Sequence, residues 1–534
     1  MSTNVAQLED TTPAAASLRS WSVLAIIWLA FSTLILAPGH LVITSHWGDA
    51  MHLVDILDRM SHGQKPHIDF VTPLGELAFW PVAALMDAGL PTGRAFLIVQ
   101  IILAGGLAAA ALAVASLRMP KTWALVFACA IMVTTLAVTH GRPELSLSIN
   151  VHYNRWCWAL AFVALVITLI PSARADQWEG VLVGGLFALL ALIKVTYFVA
   201  FLPLAILGLV LTRQTRLLIP ACATGIGIAL ILTLFWGFDY WLAYASDVLY
   251  VASAAPRPNA GHGLVTVLSG PYMLSSTVLA GFAVFLLYRE GLARHALLFV
   301  CTFLTSAYVS DQNAGHDPLF LGFAALLLLV WAKDLRGPPH LGLIAAAFGF
   351  VIALAPNVIN LASSPLRAVL ADPASFVPLV IGSDRHQDIL IDRRAVLFGG
   401  QTHFATDGQR TYFGQAASTP FTFLNEPLPT CESQLSPSYF ASIADDLKER
   451  NLAQGQTIFV ADFLSPLWLF GNHPPLEGAA PWSYGGLHGA RNADFVLVPV
   501  CPNRASVYRR ILSALDEAPM TELVRTPLYR LFVW

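Results

Sequence analysis

WSVLAIIWLAFSTLILAPGHLVITSHWGDAMHLVDILDRMSHGQKPHIDFVTPLGEL, residues 21–77, joins a long apolar run to a connection carrying Asp49, Asp55, Asp58, Asp69 and Glu76. The run has the length of a membrane crossing, because a helix traverses roughly 30 Å of hydrocarbon in about 20 residues. It is too long for the core of a cleaved signal peptide, and it offers APGH in place of an A-x-A cleavage site, so it reads as a retained first span. Five carboxylates directly after a span belong in water beside the membrane. The side they face decides what they can do.

The rest of the chain supports the membrane reading. Hydrophobic residues make up 56% of the 534 positions and charged residues 12%, with a positive mean hydropathy, far from the balance of a soluble domain. A net charge of −3, with no basic tail or acidic block, argues against nucleic acid as a partner. Apolar runs near 21–43, 95–117, 122–139, 156–171, 179–193, 196–212, 217–236, 264–288, 296–310, 318–332 and 341–361 predict about 11 transmembrane helices.

Basic residues in short connections orient the spans. With residues 1–20 as a cytoplasmic tail, the inner connections carry Arg118 and Lys121, Arg174, Arg213 and Arg216, Arg289 and Arg294, and Lys333 and Arg336. Every inner connection then holds a cation, and the acidic stretch faces out. Counting LGELAFWPVAALMDAGL (74–90) as a further crossing would put RMPK and RQTR on opposite sides, so this stretch is expected to lie in the outer interface. From residue 362 the composition turns mixed. QTIFVADF and ADFVLVPV read as strands, ASVYRRILSALDE as an amphipathic helix and LVRTPLYRLFVW as a closing strand. The expected architecture is a polytopic α-helical membrane protein, with a transmembrane module over 21–361, an outer loop over 44–94, and a periplasmic α/β domain over 362–534. Cys431 and Cys501, the two cysteines of that domain, are either a disulfide pair or unrelated thiols.

No Walker loop, GxGxxG fingerprint, HExxH or CxxC occurs, so nucleotide-driven pumping, dinucleotide redox chemistry and common zinc hydrolysis lack motif support. Candidates come from scattered residues on the outer side. Asp49 and Asp69 are carboxylates at a water–lipid boundary; they are either simply solvated acids of an interfacial loop or partly desolvated groups whose raised pKa suits a general base. Glu76 is a reserve acid, while Asp55 and Asp58, beside Arg59, read as the wet face of a short helix. Lys194 interrupts the apolar LLALIKVTYF; it either snorkels or meets an anion such as a lipid phosphate. In HYNRW, Arg155 suits phosphate and His152, Tyr153 and Asn154 suit sugar hydroxyls, although an interfacial anchor would carry the same residues. SDQNAGHDP reads first as a polar loop; His316 and Asp317, with Asp49 or Asp311, are otherwise candidate ligands for a divalent metal, whose site is left unassigned.

Several of these stretches together resemble the GT-C superfamily of integral-membrane glycosyltransferases, which includes the protein mannosyltransferases and the lipid A aminoarabinose transferases. The resemblance rests on GDAMHLVDIL after the first span, TPLGELAFWPVAAL before the interfacial helix, GRAFLIVQ opening the next span, LLALIKVTYFVAFLPL, and VADFLSPLWLFG, NADFVLVPVCP and RTPLYRLFVW in the terminal domain. Two positions depart from the family pattern. Ala50 stands where an acid is expected to follow Asp49, and Val71-Thr72 replaces His/Lys-Pro.

The resemblance implies an inverting glycosyltransferase in a bacterial inner membrane; on general grounds a cell-envelope polysaccharide, ahead of a protein, is its expected acceptor. It would move a sugar from polyprenyl phosphate to a glycan or lipid acceptor, with Asp49 or Asp69 as base and Lys194 and Arg155 on the leaving phosphate. Membrane lipids are the other partners expected. Transport or flipping of a lipid-linked saccharide, and a non-catalytic membrane scaffold, are the competing classes. A transporter usually shows internal repeats, and none is found.

Overall fold

The computed structural model of the protein describes residues 16–140, 145–149, 151–254, 270–312, 318–400, 422–428, 431, 433 and 435–534. Helix α1 (Leu18–Leu36) ends before the first apolar run does. Pro38 cannot extend a helix, and Gly39 takes φ +72°, a left-handed turn that glycine adopts without strain. Leu41–Ile43 then form strand β1. The stretch expected to be one span over 21–43 is therefore a helix followed by a strand.

The helices that follow are α2 (Trp47–Ser61), α3 (Trp80–Asp87), α4 (Thr92–Ser116), α5 (Lys121–Leu136), α6 (His152–Leu169), α7 (Gln177–Ile193) and α8 (Val195–Leu211). Next come α9 (Leu218–Trp236), α10 (Phe238–Ser253), α11 (Pro271–Arg289), α12 (Ala293–Gln312), α13 (Phe320–Ala332) and α14 (Gly337–Leu370). Each expected apolar run carries one of these helices. Among the described residues, five helical stretches are long and apolar enough to cross a membrane, and four shorter apolar helices accompany them. The eight residues of α3 reach only about 12 Å, too short to cross. Helix α9 has no buried residue, with Leu234 86% and Phe235 80% exposed, as suits a helix facing lipid.

Small residues let these helices approach closely. A Cβ on Gly184 of α7 would stand 2.2 Å from the Ala221 carbonyl oxygen of α9, so only glycine fits that crossing. In the first turn of α7, Glu179 is chelated by Arg118 at 2.6 and 2.7 Å, and Arg118 also donates to the Ile170 carbonyl at 2.8 Å, locking α4, α6 and α7 together.

Helix α14 continues past the boundary expected at 361 and leads into β2 (Phe376–Pro378) and β3 (Ile389–Asp392). Strand β3 pairs parallel with β1, Leu41 against Ile389, and antiparallel with β2. The connection after the first helix is thereby part of the same sheet as the chain after α14. Asp388, just before β3, accepts from the Gly93 and Arg94 amides at 2.9 and 2.8 Å and so caps the first turn of α4.

Beyond β3 lie α15 (Arg393–Gly400), a short hairpin of β4 (Thr422–Phe423) and β5 (Glu426–Pro427), and α16 (Pro437–Glu449). The terminal sheet follows with β6 (Ile458–Val460), β7 (Phe495–Pro499), α17 (Ala505–Leu515), β8 (Thr521–Arg525) and β9 (Tyr529–Val533), in the order β6-β7-β9-β8. Only β6 and β7 run parallel. The expected single closing strand is a hairpin, because Pro527 withholds an amide and the Thr526 hydroxyl accepts from the Leu528 and Tyr529 amides at the turn. Val507, Tyr508, Ile511, Leu512 and Leu515 form the buried stripe of α17. A disulfide joins Cys431 to Cys501 across 70 residues, worth about 4 kcal/mol on a chain-entropy account.

Candidate active site at the end of helix 6

Lys194 breaks the apolar run LLALIKVTYF into two helices. It is extended (φ −154°, ψ 103°), closing α7 and opening α8. A helix end leaves carbonyls without partners, and two outside groups take those of α7. The Gly75 amide donates to the Ile193 carbonyl at 3.0 Å and the Tyr244 hydroxyl to the Ala191 carbonyl at 2.8 Å. Gly75 is required there, since a Cβ would lie 2.1 Å from the Leu192 carbonyl oxygen. The PLGEL loop and helix α10 are thus drawn onto the junction that holds Lys194.

The first turn of α6 completes the arrangement. The Lys194 ammonium donates to Asn154 Oδ1 at 2.9 Å and lies 5.2 Å from the centre of the Tyr153 ring. Asn154 Nδ2 is buried without a protein partner. His152 Nε2 sits 3.3 Å from the Ala78 carbonyl, next to the Glu76 turn. Lys194, Asn154, Tyr153, His152 and the Glu76 loop therefore converge.

Arg155 is different. Its guanidinium is fully buried and donates to the Ala137 carbonyl at 2.8 Å and to the Thr139 carbonyl. Asp69 is also committed locally, its carboxylate accepting from the Lys65 amide at 2.7 Å to close the 65–70 turn. Asp49 is the third residue of α2, half-buried in its first turn.

Asp55, Asp58 and Arg59 are not on a wet face. Asp55 and Arg59 are each 1% exposed and form an ion pair at 2.7 Å. Trp468 Nε1 donates to the same Asp55 oxygen at 2.9 Å, and Arg59 donates to the Leu476 carbonyl at 2.8 Å. The terminal chain covers this face of α2, which helical periodicity alone could not reveal. Burial drives the Asp55 pKa up against the opposing pull of Arg59. Burial also acts upward on Asp58, but bonds from His386 and Arg385 outweigh it and hold that carboxyl below its ordinary value.

Sequence reasoning missed a second group, contributed by α10. Tyr240, Tyr244, Asp247 and Val251 are its buried residues, and their i, i+4, i+7, i+11 spacing was the available signal. Asp247 accepts from the Thr72 amide at 3.1 Å and stands 2.8 Å from His67 Nδ1. The His67 ring lies 4.4 Å from that of Tyr244 and 5.4 Å from that of Tyr240, with Nε2 buried and unpartnered. A carboxylate on Nδ1 fixes that nitrogen as the donor and leaves Nε2 as an acceptor in the neutral ring.

Burial pushes the Glu76 carboxyl up to about 7 despite the charge of Lys65. Between the ordinary value of 4.5 and about 7, the folded chain keeps a proton that the unfolded chain has released. Stability from this group therefore falls as pH rises through that window. Thermal unfolding of wild type and Glu76→Gln, followed from about pH 4.5 to about 7.5, should show the variant gaining on wild type as pH rises. Asp462, pushed by burial to about 7 as well, is common to both proteins and cancels in the difference. A constant gap across the window would contradict a protonated Glu76.

Among the described residues no three His, Cys, Asp or Glu side chains gather around a metal-sized centre; His316 and Asp317 lie outside those residues. A hollow between α2 and the terminal chain, lined by Arg59, Asp462, Trp468, His473, Ser483 and His488, encloses about 20 Å³. That is room for about one water, not for a sugar ring.

No family model matches the sequence, and no curated protein matches it. Among solved structures, the chain is similar to the cryo-EM structure of the arabinofuranosyltransferase AftD from Mycobacteria, at 13% identity and a TM-score of 0.46, over 98% of this chain and 40% of that one. It thus spans less than half the length of AftD. It is also similar to the crystal structure of ArnT from Cupriavidus metallidurans in the apo state, at 10% identity and a TM-score of 0.42, over 96% of this chain and 97% of that one.

Proposed function

We propose that the protein is an inverting membrane glycosyltransferase that moves a sugar from a polyprenyl-phosphate donor to an envelope glycan or glycolipid. The observation that carries this reading is the Lys194 junction. A cation held at the meeting point of two apolar helices, 2.9 Å from Asn154 and over the Tyr153 ring, is where an anionic headgroup on a lipid tail fits both charge and surroundings. In this reading the helix ends bearing Lys194 face the periplasm, about 11 helices cross the bacterial inner membrane, and the chain from residue 362 forms a periplasmic domain.

The chemistry follows from these groups. A carboxylate takes the proton of an acceptor hydroxyl, the oxygen bonds to the anomeric carbon, and the bond from that carbon to the phosphate oxygen breaks on the opposite face. Configuration inverts, and the phosphate leaves with the electron pair. Lys194 and Asn154 Nδ2 stabilise its growing charge, which is commonly the larger part of the rate gain. Asp49 is the first choice of base, since the Asp69 carboxylate already closes its own turn.

The test uses purified full-length protein in liposomes with labelled polyprenyl-phosphate sugars and membrane extract. Asp49→Asn is expected to lower transfer by about 10²- to 10⁴-fold, the range for loss of a general base. Transfer at the wild-type rate would remove Asp49 from that role. Label crossing the bilayer without a new glycosidic bond would favour a flippase.

A further inference from the structure

On the other side of the α6 N-terminus lies an arginine that this reaction does not yet use. Arg367 is near the far end of α14, 30 residues from its start, or about 45 Å along the axis. That exceeds the thickness of the hydrocarbon layer, roughly 30 Å. The Arg367 Nη2 donates to both the backbone carbonyl (2.5 Å) and the side-chain oxygen of Asn360. Asn360 Nδ2 in turn donates to Thr139 Oγ1 at 3.1 Å, and Thr139 is the residue whose carbonyl accepts from Arg155. Two guanidinium groups thus converge on the turn at 137–139. Ser364, three residues before Arg367, receives the Val138 amide of the same turn at 3.1 Å.

The remaining Arg367 nitrogens, Nε and Nη1, are buried with no hydrogen-bond partner, and no carboxylate pairs with Arg367 among the described residues. An arginine cannot shed its proton to escape such a position, and leaving charged N–H groups buried and unpaired is costly. A bound anion removes that cost. Because Nη2 is committed to Asn360, neither edge of the guanidinium is free to chelate a flat carboxylate. Nε and Nη1 each still offer a single-point, charge-assisted contact to an anion oxygen.

We infer that Arg367 is a phosphate-binding residue that holds a lipid-linked phosphate beside the 137–139 turn, at a position separate from Lys194. The inference rests on the glycosyltransferase reading for its ligand, but not for the anion site itself.

Binding is measured on the full chain in phosphatidylcholine nanodiscs with decaprenyl phosphate, uncharged decaprenol, phosphatidylglycerol and inorganic phosphate as probes. Decaprenyl phosphate should bind wild type, bind Arg367→Gln about 10-fold or more weakly, as expected for loss of a charge-assisted contact, and bind Arg367→Lys with intermediate strength. Arg367→Gln gives up the two bonds from Nη2 to Asn360, so its thermal unfolding is compared with wild type without ligand. If it fails to fold, the lysine variant carries the comparison. Equal affinity of wild type and variant, or no phosphate binding by wild type, overturns the site. Phosphatidylglycerol competing on equal terms with decaprenyl phosphate keeps the anion site and assigns it to headgroups. Arg367-dependent binding with no sugar transfer in the liposome assay keeps the site while the glycosyltransferase reading fails.

Discussion

Replacing Lys194 by methionine is expected to lower kcat/KM for sugar transfer by about 10²- to 10³-fold, the scale of losing one preorganised donor to developing charge. Methionine keeps the length and the apolar stem, so packing at the α7–α8 break changes little. The lost elements are the ammonium, its bond to Asn154 Oδ1 and its contact with the Tyr153 ring. If Lys194 acts on the leaving phosphate, the loss falls on kcat as well as on donor affinity. Asn154→Ala should give a smaller effect in the same direction. Unchanged kinetics in Lys194→Met, with the protein folded, would leave the lysine as a membrane anchor and remove the main support for the proposed reaction.

The second large effect concerns stability. Arg59→Met is expected to destabilise the protein by about 3–5 kcal/mol, because it strands the Asp55 carboxylate in a buried site. The variant also loses the bond to the Leu476 carbonyl and the stacking on Trp468, 5.4 Å from the guanidinium carbon. Thermal unfolding in detergent reads the loss. The double variant Arg59→Met/Asp55→Leu should recover much of it, since removing both charges removes the stranded one. If the double variant is no more stable than Arg59→Met, the loss lies in packing and not in charge.

Much of the helical layout was legible because its signal is long and one-dimensional. An apolar run of about 20 residues is hard to mistake, and basic residues such as Arg213 and Arg216 mark the intervening connections. Lys194 stood out for the same reason, a single charge in an apolar stretch. The failures share a different cause. Asp55 and Arg59 have the spacing of a wet helical face, and only the chain around Trp468, some 400 residues later, buries them. His67 pairs with Asp247 across 180 residues, and Arg367 meets Thr139 only through Asn360. Pairings of that kind leave no periodic trace. The break after Leu36 was visible in Pro38 and Gly39, yet an apolar LVI so close to the first span reads as its continuation.

That LVI strand has a temporal meaning as well. Leu41 finds its partner Ile389 348 residues later in the chain. At a synthesis rate of about 5–20 residues per second, the wait lasts roughly 17–70 s. Throughout that interval strand β1 has an open edge, and the acidic connection after it has no cover from the terminal chain. The order of translation thus makes the acid-bearing loop among the last parts to be fastened, after every helix on which it rests has been made.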